Sequence, residues 1–98
     1  MSALQPTIPA LQSAVHRVAT TSMKLLGRGC RETLKDVDDP TLEVVLIAMR
    51  AKAKEIMPKV LEEVQESPWL AGPLFDDAAM SVYQSGKAQL EAIMEGRS

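Results

Sequence analysis

The 98 residues contain three aromatic side chains, one cysteine and one histidine. A lone cysteine closes no intrachain disulfide, so a disulfide-stapled scaffold is excluded. One His and one Cys fall short of the four ligands of a structural zinc site, and no motif implies a cofactor. The longest strongly apolar run, Val44–Met49, is far below the ~20 residues that span a bilayer. The first residues carry neither the basic flank nor the apolar run of a signal peptide. Together these absences predict a cytoplasmic chain with no membrane partner. Scarce aromatics also argue against a β-fold, since strands draw on aromatic and β-branched residues.

What is abundant is Ala, Leu, Val and Met, within a hydrophobic content of 46%. Small and unbranched side chains lose little freedom in a helix, so the expected class is all-α. The size suits one domain over residues 1–98, with residues 1–8 flexible. Charge alternates by segment: +4 over residues 1–35, −4 over 36–45, +3 over 46–60 and −5 over 61–98, for a net −2. Such alternation fits antiparallel helices with complementary flanks.

Thr7 is placed to cap a first helix that has Pro9 in its opening turn, where a missing amide hydrogen costs nothing. Leu11, Val15, Val18, Ser22 and Leu25 follow at helical spacing and mark its inner face. Gly27 and Gly29 predict a break or kink, with helix resuming near Cys30 and the apolar phase continuing through Leu34 and Val37. Asp39 is expected to cap a second helix beginning at Pro40, with Leu42, Val45, Leu46, Met49, Ala53 and Ile56 turned inward. The phase persists past Pro58, so the helix is expected to bend there and run on to Glu66. Residues 67–73 hold two prolines and a glycine and predict a connection. A third, shorter helix should open at Asp76 or Asp77, bury Ala79, Tyr83, Gly86, Leu90 and Ile93, and fray after Met94. The expected architecture is a three-helix antiparallel bundle, two helices long and one shorter, as a monomer or a larger oligomer.

No residue set supports catalysis, and the reading is that the chain is not an enzyme. His16 and Cys30, the one nucleophile–base pair worth testing, would lie roughly 20 Å apart on a single helix. The segment His16–Ser22 resembles the phosphohistidine segment of histidine phosphotransfer domains, but it has Ala19-Thr20 where that segment carries Lys-Gly. His16 is therefore read as a surface residue. Asp36, Asp38 and Asp39 open like a calcium loop, yet Thr41 and Ile47 occupy the positions that need Gly and Glu. Helix capping accounts for those aspartates without a metal.

Two surfaces remain as candidate sites. Val44, Ile47, Ala48 and Ala51 lie on the side of the second helix opposite its main face, with Arg50 and Lys54 flanking. Either a middle helix uses both sides against its neighbours, or this strip is a contact for another protein or a second copy. Trp69, Leu70, Leu74 and Phe75 either plug the end of the bundle or present an anchor to the same partner. The leading function is a small protein–protein interaction module: a regulator, inhibitor, adaptor or assembly chaperone. The alternative is a phosphorylated ligand or nucleic acid bound along Arg17, Lys24, Arg28, Arg31 and Lys35. These form one edge if the helix runs through, with the Gly27–Gly29 amides open to an anion. Pairing of that edge with Glu62, Glu63, Glu66, Glu91 or Glu95 is the simpler use.

Overall fold

A computed structural model describes residues 7–97, and in them the chain is all-α. Helix α1 spans Ile8–Gly29, α2 Arg31–Lys35, α3 Asp39–Glu66 and α4 Ala71–Arg97, with a 3-10 turn at Pro68–Leu70. Of the stretch expected to be flexible, residues 1–6 lie outside the described residues, and Ile8 already belongs to α1. The Thr7 hydroxyl accepts from the Ala10 amide at 3.2 Å, the capping that the sequence predicts.

The break after the first helix falls at Cys30, whose φ of −123° and ψ of 29° leave the helical region. Its amide still donates to the Leu26 carbonyl, and its own carbonyl accepts from Leu34, so the chain turns within one residue into α2. α3 begins one residue earlier than expected. Asp38, not Asp39, is the cap, its carboxylate accepting from the Thr41 amide at 3.1 Å. Pro40 then sits in the first turn, where it gives up no intrahelical bond. This one-residue difference has a measurable consequence. Asp38→Ala should lower stability by about 1 kcal/mol, and Asp39→Ala by a few tenths, in paired thermal melts.

α3 continues through Pro58, which removes the bond to the Lys54 carbonyl without ending the helix. The third long helix departs most from expectation. It opens at Ala71 rather than at Asp76 or Asp77, and it remains helical to Arg97 instead of fraying after Met94. Gly72 and Pro73 lie in its first turn, where a proline's missing amide hydrogen has no carbonyl to lose. At 27 residues it is longer than the 22-residue α1, so it is not the short member of the set.

α1, α3 and α4 each pack against the other two. A 28-residue helix is ~42 Å long at 1.5 Å per residue. The molecule measures 54 × 21 × 17 Å, so the long helices must lie along its long axis. Between them run Val18 and Leu26 of α1, Val45, Met49 and Met57 of α3, and Val82 and Leu90 of α4, all almost fully buried. Among the described residues Ser22 and Thr41 are the buried polar ones. Ser22 donates its hydroxyl to the Ala19 carbonyl at 2.9 Å and so is satisfied within its own helix. On α4, Gly86 has no side chain to collide with Met49 of α3, which packs against it. Among the described residues no helix is long and apolar enough to cross a membrane.

Candidate functional site

Burial of this core leaves several large apolar side chains outside it. On α3, Val44 and Ile47 are 49% and 59% exposed, Ala51 is exposed and Ala48 half-buried. None of the four belongs to the core or to the residues packed against it, which on α3 are chiefly Val45, Met49, Ala53 and Met57. The broad apolar surface of this helix is therefore not consumed by its two neighbours.

The aromatic segment divides. Trp69, in the 3-10 turn, is 76% exposed and Leu70 40%. Leu74 and Phe75, one turn into α4, are half-buried. The Arg17 guanidinium lies over the Phe75 ring, 4.8 Å from its centroid. A cation over the negative face of a ring is worth about 0.5–1 kcal/mol at a solvent-accessible position. Phe75 thus belongs to the α1–α4 contact, while Trp69 and Leu70 face solvent instead of closing the end of the molecule.

The basic edge is not continuous. Arg17, Lys24 and Arg28 are on α1, Arg31 and Lys35 on α2, and the Cys30 turn separates them. Arg17 is committed to Phe75, and Lys35 pairs with Glu32 at 3.2 Å, three residues back on the same short helix. A second ion pair, Lys52–Glu55 at 3.8 Å, is also local. Neither of these two pairs joins the edge to Glu62, Glu63, Glu66 or Glu91. Gly27 and Gly29 are helical and lie in the last turn of α1. Their amides face back into the helix, at the negative end of its dipole, and offer an anion nothing. The sequence places an anion there only by reading the glycines as an open loop.

A feature of a different kind lies between α1 and α3, an open groove of about 590 Å³. Its α1 wall carries Ile8, Leu11, Val15, Ala19 and Met23, one side chain per turn. His16 and Thr20 line it between those turns, both solvent-exposed, so the histidine is indeed a surface residue. The α3 wall is Arg50 and Lys54. Ile47, Arg50, Ala51 and Lys54 follow i, i+3, i+4, i+7 spacing and share one side of α3. The exposed Val44–Ile47–Ala51 strip therefore adjoins the cationic wall of the groove. Sequence reasoning stopped short of this groove, although one signal was available. A second apolar line, Ile8–Leu11–Val15–Ala19–Met23, makes α1 wider than a single inner stripe requires.

Among the described residues no three His, Cys, Asp or Glu side chains are grouped to hold an ion. Asp38 instead caps α3, and Cys30 is a buried free thiol. No family model matches the chain, and neither a curated protein nor a solved structure is similar to it at a significant level.

Proposed function

We propose that this chain is a non-enzymatic cytoplasmic interaction module, a regulator, inhibitor, adaptor or assembly chaperone that acts by occupying a partner's surface. In this reading the long helices form an antiparallel bundle whose exposed residues Val44, Ile47, Ala51, Trp69 and Leu70, with the half-buried Ala48, meet another protein or a second copy. The observation that carries it is the exposure of Ile47, Val44 and Trp69 beside a core that is complete without them. Val44 and Ile47 are neighbours near the start of α3 and Trp69 lies past its far end, so in this reading the contact runs along the helix. Exposed apolar surface of this kind is retained where a partner covers it. Trp is also among the residues that most often anchor such contacts. The anion-binding alternative has weaker support, because its basic residues fall on two helices and two of them are engaged locally.

The test compares the parent chain with Ile47→Asp and Trp69→Ser. Ile47→Asp should reduce partner capture from native cells at least tenfold, equivalent to ~1.4 kcal/mol of binding, with an unchanged circular dichroism spectrum. Trp69→Ser should act in the same direction. A parent that sediments as a strict monomer, together with full capture by Ile47→Asp, removes the proposal.

A further inference from the structure

Resting on that reading, we infer that the α1–α3 groove is the docking site and that its occupant is an amphipathic helix with acidic flanks. Length is the first argument. From Ile8 to Met23 the α1 wall spans 16 residues, a rise of ~22 Å at 1.5 Å per residue or about four helical turns, facing one turn of α3 at Arg50 and Lys54. The second is shape. A trough between two packed helices is where a further helix seats its ridge of side chains, and here Val15 and Ala19 form a low floor between the more prominent Ile8 and Met23. A helix laid there would also shield Ile47, which adjoins the rim.

Charge selects the flank. Both charged residues lining the groove, Arg50 and Lys54, are cations, and no carboxylate lines it. Neither takes part in the Lys35–Glu32 or the Lys52–Glu55 ion pair. A partner with Glu or Asp beside its apolar ridge would meet both cations, whereas a basic one would be repelled at the same wall. The mode is helix-in-groove recognition, read through apolar anchors at i, i+3 or i+4 and i+7.

The experiment uses two stapled, fluorescein-labelled 16-residue helical peptides with one leucine face, the first with Glu flanks and the second with Lys flanks. Each is titrated by anisotropy against the full chain. The Glu peptide should bind at least tenfold more tightly than the Lys peptide. Arg50→Glu with Lys54→Glu should invert that order. Thr20→Trp fills the groove from an exposed position and should abolish binding of the Glu peptide, with the thermal melt unchanged.

Equal binding of the two peptides, no binding of either, or binding that survives Thr20→Trp would each overturn the proposal. So would a dimer at micromolar concentration that Thr20→Trp converts to monomer, since the occupant would then be a second copy. Displacement of the Glu peptide by sodium dodecanoate at concentrations below its micelle threshold would also overturn it, in favour of a small amphiphile. Native capture that is lost in Ile47→Asp but intact in the Arg50/Lys54 and Thr20 variants leaves the interaction module standing and removes this groove from it.

Discussion

Val82→Asp is expected to abolish cooperative folding. Val82 is fully buried on α4, in a cluster made of Ala, Val, Leu, Met and the Cys30 thiol. A carboxylate there has no cation to pair with inside that cluster, and burying it unpaired costs several kcal/mol whether it remains charged or takes up a proton. Domains of this size have a total stability of about 5–15 kcal/mol, so one such group consumes most of the margin. Far-UV circular dichroism with a urea titration should show reduced helicity and no sigmoidal transition. Gln84→Asp, two residues on and exposed, is the control and should stay within ~0.5 kcal/mol of the parent. A Val82→Asp protein that melts within a few degrees of the parent would mean that α4 turns a different face inward.

That face shows how far the sequence could be read. The line Ala79–Gly86–Leu90 is legible from spacing alone, and all three are buried. Val82 and Ala78 are missed because Tyr83, the bulkier neighbour, takes the intervening place in the same periodic pattern. In the structure Tyr83 is half-buried against Gly29 of α1, and Val82 points into the core. The interruption expected at Gly27 and Gly29 falls instead at Cys30, with both glycines helical, whereas the Thr7 cap and the passage of α3 through Pro58 are legible. Each depends on local backbone chemistry, which the residues themselves carry. The start of α4 is not, because Gly72 and Pro73 are helix breakers only away from a first turn, and nothing local says where that turn begins.

The candidate surfaces divide along the same line. Exposure of Val44 and Ile47 follows from the phase of one helix, so it can be anticipated. The outward position of Trp69 depends on how a 3-10 turn carries the chain past the end of α3, and apolar character alone argues equally for a plug. The groove is less legible still. It joins Ala19 and Met23 of α1 to Arg50 and Lys54 of α3, residues distant in sequence, and it exists only through the relative placement of two helices. Periodicity gives the faces of a helix but not the depth of the trough between two of them.

Gly86→Leu should be strongly destabilising, and Met49→Ala should rescue it. A Cβ built on Gly86 would lie 2.5 Å from both Cγ and Sδ of Met49. Met49 has no exposed surface, so its thioether cannot swing into solvent to make way. Gly86→Ala sets a helix-propensity gain of ~1 kcal/mol against an overpacking cost of about 1–3 kcal/mol, and a net loss of ~1 kcal/mol is expected. Leucine at this position adds three more carbons to the same contact and should exceed 3 kcal/mol. Met49→Ala alone opens a cavity on the opposite helix at a cost of about 2–5 kcal/mol. The two changes repair each other, since the leucine enters the volume that the methionine leaves. The double variant should therefore be more stable than the sum of the single changes implies by at least ~2 kcal/mol, read from urea titrations of all four proteins. A coupling near zero would show that Met49 is not what keeps position 86 a glycine. The close approach of α3 and α4 would then need another cause.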